Sequence, residues 1–331
     1  MVLLASTHED IVHAANIVRC GGLVAFPTET VYGLGADASN GQAVTRIFAA
    51  KGRPADHPLI VHLSAAGELE RWARDIPDAA WVLAERLWPG PLTLILKRAA
   101  GVLDAVTGGQ DTIGLRVPDH PVALALLKAF GGGIAAPSAN RFGRVSPTCA
   151  AHVWAELGDA VDYVIDGGSC QVGLESTILD LNGTLPRVLR PGAVTADLLA
   201  CILGEPLGTR AGNHPRVSGS LASHYAPDTP LRLIEAHAIE TAAQSFLIIG
   251  QSIAVLSMRQ VVSHHPDCRW ITMPANPREY GQLLYARLRE VDTWGCRWIL
   301  VEQPPALAEW EAVHDRLMRS ASVRGVEGIA S

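Results

Sequence analysis

The stretch VAFPTETVYGLGADASNGQAVTRIFAAKGRPADHPLIVHL, residues Val24–Leu63, carries the densest polar chemistry in this chain. Its apolar opening predicts a short strand that ends at Pro27, because proline has no N–H to donate within a central sheet ladder. Thr28–Thr30 is therefore expected at a strand end. Gly33 and Gly35 follow, and we expect turn conformations there that other residues rarely adopt.

The second half of the stretch predicts a helix and a further strand. Apolar residues recur at helical spacing up to Lys51, and Gly52 ends the helix, so Lys51 and Arg53 emerge at its C-terminal end. Leu59–Leu63 then resumes as a strand on which His62 faces opposite to its apolar neighbours. One strand end, one helix end and one strand are thus expected to converge.

The length of 331 residues exceeds the usual size of a single hydrophobic core. We expect a larger α/β domain over residues 1–205, a linker over 206–230 and a smaller α/β domain over 231–331. Hydrophobic residues make up 48% of the chain and charged residues 18%, with no apolar run long enough to span a membrane. The N-terminus lacks the basic start and apolar core of a signal peptide, which predicts a cytoplasmic protein.

The net charge is −6, which does not indicate a broad nucleic-acid-binding surface but leaves a local basic cleft open. Only three of the 27 basic residues are lysines, which singles out Lys51. The six cysteines are dispersed and show no CxxC or Cys/His ligand spacing. Buried free thiols are therefore favoured over a disulfide or metal role.

Polar residues gather where several further apolar strands stop. Thr112–Val117 is a strand that carries Arg116, and a buried arginine there needs an anionic partner, whether a protein carboxylate or a ligand. The run Ile134–Asn140 ends in proline and small polar residues, and Ser176 and Arg190 lie beside two later strands. Ligands of open α/β sheets bind outside strand ends, so these residues are expected to share one cleft.

Two segments complete the organisation of the chain. From Gly204 to Pro230 the composition shifts to glycine, proline, serine and arginine without a helical or strand period, which predicts a long linker. Beyond it, short apolar runs alternate with helical patterns, which predicts a small α/β domain with a mostly parallel sheet. The runs are Leu231–Ile234, Phe246–Ile249, Ala254–Leu256, Arg269–Thr272 and Trp298–Val301.

Several familiar chemistries are set aside because their motifs are absent from the sequence. The chain has no Walker GxxxxGK[ST] loop and no HExxH, GxSxG or EF-hand pattern. Gly33–Ala38 matches the dinucleotide fingerprint G-x-G-x-x-A, but Pro27–Tyr32 separates it from the preceding strand. That match is therefore weak.

Five ordered motifs resemble those of one enzyme family. They are PTETVYGL from Pro27, KGRP from Lys51, HPLIVH from His57, APSAN from Ala136 and EST from Glu175. Together they resemble the threonylcarbamoyl-AMP synthases with a YrdC-like domain, in the long two-domain form. The resemblance implies a twisted mixed-sheet YrdC-like catalytic domain, a long linker and a smaller Rossmann-like α/β domain.

The resemblance also implies a nucleotidyltransferase reaction. L-threonine, ATP and bicarbonate or carbon dioxide would give L-threonylcarbamoyladenylate and pyrophosphate. The product would feed the threonylcarbamoyladenosine modification of tRNA, through downstream tRNA-modification proteins that take up the intermediate. Mg²⁺ or a similar divalent ion would accompany ATP, and its ligands in the protein are unknown. Fixed cations suit this chemistry, because ATP, a carboxylate and bicarbonate bring many negative charges into one cleft.

Site residues are carried over by motif position. Lys51 and Arg53 would be catalytic, with Lys51 neutralising charge at the reacting carbonyl or phosphate. The residues implied for L-threonine are Thr30, His62, Arg116, Ala136 and Ser176. The residues implied for ATP are Arg53, His57, Thr112, Ser138, Ser146, Arg190 and Tyr225. Since no nucleophile triad or two-carboxylate pair is evident, catalysis would rest on positioning and electrostatic stabilisation at the α-phosphate.

Two other functions remain open at this level. A YrdC-like carbamoyltransferase module is similar in fold, but the acylphosphatase-like and zinc-finger segments that accompany it are absent from this sequence. An RNA-binding protein is the non-enzymatic alternative, against which the acidic net charge weighs. The linker segment Ser218–Pro227 is expected to fold over the cleft as a lid, although it keeps only the His-Tyr-Ala-Pro end of the family's motif.

Overall fold

The computed structural model describes residues 7–209, 214–219, 224–260 and 265–321. The chain divides into two compact units. Unit 1 comprises residues 1–142 and 146–220, and unit 2 comprises residues 143–145 and 221–331. Each unit is built around a β-sheet of its own.

Unit 1 alternates strands and helices along its length. Its strands are β1 (Val24–Phe26), β2 (Gly33–Asp37), β3 (Ile60–His62), β4 (Ala73–Arg74), β5 (Leu92–Arg98), β6 (Thr112–Arg116), β7 (Ile134–Ala135), β8 (Tyr163–Val164), β9 (Thr177–Asp180) and β10 (Arg187–Arg190). Its α-helices are α1 (His8–Arg19), α2 (Gly41–Lys51), α3 (Leu69–Trp72), α4 (Asp78–Leu87), α5 (Asp104–Thr107), α6 (Pro121–Phe130), α7 (Ala150–Leu157) and α8 (Ala196–Leu203).

These strands form one mixed sheet in the order β10-β9-β5-β6-β3-β7-β2-β1-β8, and β4 pairs with β5. The pairs β3–β6, β5–β9 and β1–β8 are parallel, and the other pairs are antiparallel. A large mixed sheet covered by helices is the architecture that the resemblance implies. The predicted fold class of this unit is therefore confirmed.

Helices pack on both faces of the sheet because successive strand residues point to opposite sides. On one face, α1 and α6 pack against Val24, Phe26 and Ile134. On the other, a larger cluster that includes residues of α2, α4 and α8 packs around Ala25 and Leu94. The face that holds Phe26 is also the face that carries His62, since these two rings meet edge to face at 6.0 Å.

Local capping residues bound the first two long helices, and α2 ends where the sequence predicts. Thr7 caps α1 through a capping box, in which its hydroxyl accepts from the Asp10 N–H and the Asp10 carboxylate accepts from the Thr7 N–H. Helix α2 ends at Gly52, which has φ of +61° in the left-handed region. Glycine adopts that conformation at little cost, so Lys51 is the last helical residue.

Gly33 and Gly35 do not form the expected turn. They lie in β2, which pairs antiparallel with β1 so that Phe26 faces Gly33 and Val24 faces Gly35. A Cβ atom on Gly35 would lie 2.7 Å from the Phe26 ring and 2.7 Å from the Ile134 side chain. Glycine is required here by close packing on the sheet face, and the turn prediction was wrong for that reason.

Unit 2 contains a smaller parallel sheet, as predicted. Its strands are β11 (Leu231–Ile234), β12 (Ile253–Ser257), β13 (Cys268–Thr272) and β14 (Trp298–Glu302), in the order β11-β14-β12-β13. Its α-helices are α9 (Ile239–Ile248), α10 (Pro277–Asp292) and α11 (Glu311–Ala321). All three strand pairs are parallel.

The run Phe246–Ile249 was expected as a strand of unit 2 and instead forms the end of α9. Ile248 and Ile249 are 84% and 69% exposed, so the run has no buried face of the kind that a central strand presents. A short apolar run fits a strand and a helix end equally well in sequence alone. The predicted linker has neither helix nor strand among its described residues between Gly204 and Pro230.

None of the six cysteines forms a disulfide, as expected. Only Cys170 is buried, whereas Cys20 and Cys201 are exposed and the other three are intermediate. The free-thiol prediction is therefore confirmed, and the expectation of burial holds for Cys170 alone.

Candidate active site

Arg116 is the centre of a buried polar cluster in unit 1. Its Nε donates to the Gly90 carbonyl at 3.2 Å, and its Nη1 donates to Thr30 Oγ1 at 2.9 Å. Its Nη2 lies 2.7 Å from Glu29 Oε1, and both side chains are about 5% exposed or less. The anionic partner that a buried arginine needs is thus a carboxylate of the same chain.

Thr28–Thr30 forms a fixed turn at the end of β1 rather than a flexible strand end. The hydroxyls of Thr28 and Thr30 share a hydrogen bond of 2.8 Å, and Thr28 Oγ1 donates to the Val31 carbonyl at 2.6 Å. The Thr30 and Val31 N–H groups both donate back to Thr28 Oγ1. This network orients the Thr30 hydroxyl toward Arg116.

His62 ends β3 directly beside Arg116, which ends the parallel strand β6. The side chain is buried, and burial together with the positive charge of Arg116 lowers the pKa of His62 to about 3. The ring is therefore neutral near pH 7. We name Thr28, Glu29, Thr30, His62 and Arg116 the Arg116 cluster.

The loop after β7 borders this cluster. The Ala136 N–H donates to the Ile60 carbonyl at 2.9 Å, and Ser138 forms a bridge with Gly33 of β2. Ala136 is buried against Gly33, whose Cβ position would lie 3.3 Å from the Ala136 methyl group. Ala136 therefore packs closely on β2 and is buried, as is His62.

Lys51 points into this loop and not toward open space. Its Nζ donates to the backbone carbonyls of Ser138 and Asn140, and the Lys51 carbonyl accepts from the Phe142 N–H at 2.8 Å. Burial, and then the charge of Arg53, lower the pKa of Lys51 well below its usual range. Lys51 thus holds the segment that presents Ser138.

Arg53 and Arg190 carry fixed positive charge toward one segment, residues 214–219, which we name the strap. Arg53 Nη2 donates to the Pro58 carbonyl at 2.9 Å and to Ser218 Oγ at 3.2 Å. Arg190 Nη1 donates to the Ser218 carbonyl at 3.0 Å. Both predicted ATP-binding arginines therefore donate to Ser218, the first residue of the predicted lid segment.

Ser176 is tied to Arg190 and to β5. Arg190 donates to the Ser176 carbonyl at 2.9 Å and to its hydroxyl at 3.1 Å. The Ser176 hydroxyl also shares a hydrogen bond of 2.8 Å with Thr93 Oγ1. Thr93 is the one hydroxyl residue in the buried run Leu92–Leu96, and that interruption was the sequence signal that could have marked it.

Ser146, His57 and Thr112, three further predicted ATP residues, have different partners in unit 1. Ser146 donates to Glu175 Oε1 at 2.6 Å. The ring of His57 meets that of Phe142 at 5.2 Å, and burial and then Arg53 lower the pKa of His57. Thr112, at the start of β6, lines a small cavity together with the strap.

Thr112 and Arg116 mark the two ends of one strand face. Residues at alternate positions of β6 share a face, so Thr112, Gly114 and Arg116 line it in that order. Four residues of an extended strand span about 13 Å. One predicted ATP residue, Thr112, and one predicted threonine residue, Arg116, thus lie on one face of β6 with Gly114 between them.

Tyr225 lies in unit 2. Its backbone has φ of +62°, and its ring stacks on Tyr285 at 5.7 Å and meets the His224 ring at 4.1 Å. The Arg316 guanidinium lies 5.3 Å from the ring centre. The predicted contact of Tyr225 with ATP stays a prediction, and part of the predicted lid, residues 220–223, lies outside the described residues.

Glu29 and Glu175 were missed as site residues by the sequence analysis. Both stand inside the quoted motifs, next to Thr30 and Ser176, so position was a usable signal. No group of three or more His, Cys, Asp or Glu side chains in the described part of the chain is arranged to hold a metal ion. None of the helices within the described ranges is both long and apolar enough to cross a membrane.

Comparison with known proteins connects this geometry to a family. Residues 16–192 match the family Sua5_yciO_yrdC, described as "Telomere recombination", and residues 193–322 match "Threonylcarbamoyl-AMP synthase, C-terminal domain". The chain belongs to the threonylcarbamoyl-AMP synthase family. The resemblance inferred from the five motifs is confirmed.

Full-length relatives share both units. The threonylcarbamoyl-AMP synthase of Pyrococcus abyssi is 38% identical over 322 residues, which cover 94% of each chain. That of Bacillus subtilis is 38% identical over 331 residues, covering 97% of this chain and 95% of the relative. The crystal structure of P. abyssi Sua5 complexed with L-threonine matches with a TM-score of 0.90, 37% identity, and coverage of 97% of this chain and 96% of that one.

Proposed function

We propose that this threonylcarbamoyl-AMP synthase family member makes L-threonylcarbamoyladenylate and pyrophosphate from L-threonine, bicarbonate or carbon dioxide, and ATP. The observation that carries the proposal is the Arg116 cluster, in which a buried guanidinium, two hydroxyls and a neutral histidine meet. Such a set suits a small polar amino acid with a carboxylate and a hydroxyl. The relative solved with L-threonine supports the same substrate.

The Arg116 cluster is proposed to bind threonine as follows. Arg116 pairs with its carboxylate, and Thr30, His62 and Ser176 surround it, with Ala136 leaving room for the methyl group. Since His62 is neutral, it can accept or donate a hydrogen bond without adding charge. Binding places the ammonium group, which must lose one proton to become a nucleophilic amine. The amine then attacks carbon dioxide, which gives a carbamate and releases a second proton.

ATP is proposed to lie along the β6 face toward Thr112 and the strap. Arg53 and Arg190 would face its phosphates, with His57, Ser138 and Ser146 around the nucleotide and Tyr225 covering it. The carbamate oxygen attacks the α-phosphorus, and pyrophosphate leaves. The fixed guanidinium groups stabilise the charge that develops, so catalysis rests on positioning and electrostatics.

Lys51 and Mg²⁺ complete the proposal. Lys51 is proposed as catalytic, and its bonds to the Ser138 and Asn140 carbonyls favour an effect through the loop that it holds. Because no metal-ligand group is found among the described residues, Mg²⁺ would be carried by the ATP phosphates and water, which is its common mode in nucleotide sites.

The setting of the reaction is proposed from the family. The product would pass to downstream tRNA-modification proteins, and the protein would act in the cytoplasm. Direct tRNA contact is not indicated by the net charge of −6.

One experiment tests the proposal. Purified protein is mixed with ATP, Mg²⁺, bicarbonate and L-threonine, and pyrophosphate release is followed with and without threonine. We expect release that depends on both threonine and bicarbonate, with threonylcarbamoyladenylate detected by mass spectrometry. Turnover of carbamoyl phosphate instead would favour the carbamoyltransferase alternative, and tRNA binding without turnover would favour the RNA-binding alternative.

A further inference from the structure

Glu29 is a buried carboxylate that the proposed mechanism leaves without a role. Its side chain is 4% exposed, and its Oε1 lies 2.7 Å from Arg116 Nη2. No N–H of Nη2 is aligned with that oxygen, and neither oxygen of Glu29 accepts a hydrogen bond from any described residue. Glu29 and Arg116 thus balance each other's charge while both keep hydrogen-bonding capacity.

Buried polar atoms of this kind call for a partner. Most buried donors and acceptors in folded proteins are hydrogen-bonded, and exceptions commonly mark a place where a ligand or ion binds. Among the described residues, the unpartnered atoms of the Arg116 cluster are Glu29 Oε1 and Oε2, Arg116 Nη2 and His62 Nδ1. They place acceptors and a donor side by side.

The ligand that completes this set must offer an anion and a cationic donor close together. A free α-amino acid does so, because a single carbon joins its carboxylate to its ammonium group. A carboxylate on Arg116 Nη2 leaves the ammonium next to the Glu29 carboxylate, where a charge-assisted hydrogen bond forms. A hydroxy acid or simple carboxylic acid would leave the Glu29 charge uncompensated.

We propose that Glu29 recognises the ammonium group of the substrate amino acid, while Arg116 binds its carboxylate. This inference rests on the proposed function and assigns it a specificity-determining residue. Glu29 selects free amino acids against their deamino analogues. By holding the nitrogen in one place, Glu29 also fixes where the amine stands before it reacts.

The test compares two ligands on two proteins by isothermal titration calorimetry. L-threonine carries the ammonium group, and (3R)-3-hydroxybutanoate keeps the carboxylate and hydroxyl but lacks it. We expect Glu29→Gln to lower the affinity for L-threonine by about 10- to 100-fold, which is the usual effect of losing a buried charge-assisted hydrogen bond. Binding of 3-hydroxybutanoate should be unchanged or tighter, because the variant no longer buries an unpaired charge.

A purely structural role predicts a different result. If Glu29 only holds Arg116 in place, both ligands need the same carboxylate contact and both weaken equally, which overturns the inference. Asp162→Asn serves as a control, since it removes an exposed carboxylate that pairs with Arg46 in the same unit. This control should bind both ligands as the unmodified protein does.

A second variant covers failure of Glu29→Gln to fold. Glu29→Asp keeps the charge, and we expect it to retain the preference for L-threonine over 3-hydroxybutanoate even if both bind more weakly. Loss of that preference with intact threonine-independent ATP binding overturns the inference. Unmodified protein that does not bind L-threonine at all overturns the proposed function itself, and so the two failures are distinguishable.

Discussion

Arg116 is held by three groups of its own chain, which leaves its orientation little freedom. We predict that Arg116→Ala weakens the binding of L-threonine by about 2 to 5 kcal/mol. The substitution removes the contact with the ligand carboxylate and leaves the buried Glu29 carboxylate without its ion-pair partner. ATP affinity should change far less. Titrations with each ligand measure this, with circular dichroism as a check of folding. Equal loss of both ligands would reject the assignment, and Arg46→Ala, which breaks an exposed ion pair, is the matched control.

Lys51 offers a second test at the scale of one residue. We predict that Lys51→Ala lowers turnover at saturating substrates, because the Ser138 and Asn140 carbonyls lose the ammonium that fixes their loop. Steady-state pyrophosphate release gives kcat and KM separately. Lys97→Ala, at an exposed lysine paired with Asp75, should leave both unchanged. Recovery of full turnover with excess substrate would mean that Lys51 serves binding alone.

His62 gives a prediction about pH. Its pKa is about 3 in the folded protein, against 6.5 for an exposed histidine, so the unfolded chain binds more protons between these values. Stability therefore rises with pH across this window and is lost as the pH falls below about 6.5. Between pH 7 and pH 5 the expected contribution is about 2 kcal/mol.

Urea unfolding at pH 7 and pH 5 measures this contribution. We expect His62→Gln to lose less stability than the unmodified protein over that range, because glutamine does not titrate. His8→Gln, at an exposed residue in the first turn of α1, should show the same loss as the unmodified protein. Identical pH dependence for the unmodified protein and His62→Gln would contradict a buried neutral histidine.

The residues of the site could be named from sequence better than their contacts. Motif position brought Arg116, Thr30 and His62 together, and the structure places them in one cluster. The partner of Arg116 could not be chosen between a carboxylate and a ligand, because that choice depends on how β1 and β6 approach each other in three dimensions. The contact of Lys51 with the loop after β7 could not be predicted either, because a position at a helix end does not specify which groups the side chain contacts.

At the scale of elements, the β1–β2 hairpin depends on glycine for packing. We predict that Gly35→Ala destabilises unit 1 by about 1 to 3 kcal/mol, because its methyl group would press on Phe26 and Ile134 at 2.7 Å. Urea midpoints measure the effect. Gly67→Ala is the control, because nothing lies within 4 Å of its Cβ position. Equal urea midpoints for Gly35→Ala and the unmodified protein would show that the β1–β2 hairpin accommodates the added methyl group without loss of stability.

The spacing of apolar residues predicted most helices and strands. It gave the wrong structure where a short run was compatible with two kinds of secondary structure. Capping at Thr7 and the left-handed Gly52 are local effects, so sequence predicts them well. The strand at Gly33 depends on neighbours distant in the chain, whereas the run Phe246–Ile249 ends a helix whose last residues are exposed. Close packing and burial decided these two elements, and neither is written in a local pattern.

At the scale of the whole molecule, the strap connects the linker to the predicted nucleotide site. Val217 packs with Ile95, Ile178 and Leu189, and Arg216 pairs with Asp56 at 2.9 Å. If the linker acts as a lid, ATP and L-threonine should slow protease cleavage within Ser218–Pro227, because Ser218 is hydrogen-bonded to both Arg53 and Arg190. Cleavage at one rate with and without these ligands would reject the lid.

Truncation gives a second measurement of the same role. A chain ended at Gly204, which lacks the strap, should stay folded and lose most synthase activity, whereas a chain ended near Pro230 should retain some. The physical reason is exclusion of water, since carbamates and mixed anhydrides decompose in it. Equal activities of the two truncated chains would mean that the linker is a passive tether.

The sheet order also constrains how this protein is made. Strand β1 pairs with β8, and Val24 cannot form its pair until the ribosome has made Tyr163, a residue 139 positions later. At ribosomal rates of 5–20 residues per second, that partner emerges about 7 to 28 s after β1 does. During this interval an apolar strand edge stands open inside the cell. Newly made chains should therefore depend on chaperones at the ribosome more than the finished enzyme does, and synonymous changes that slow translation should lower the soluble yield.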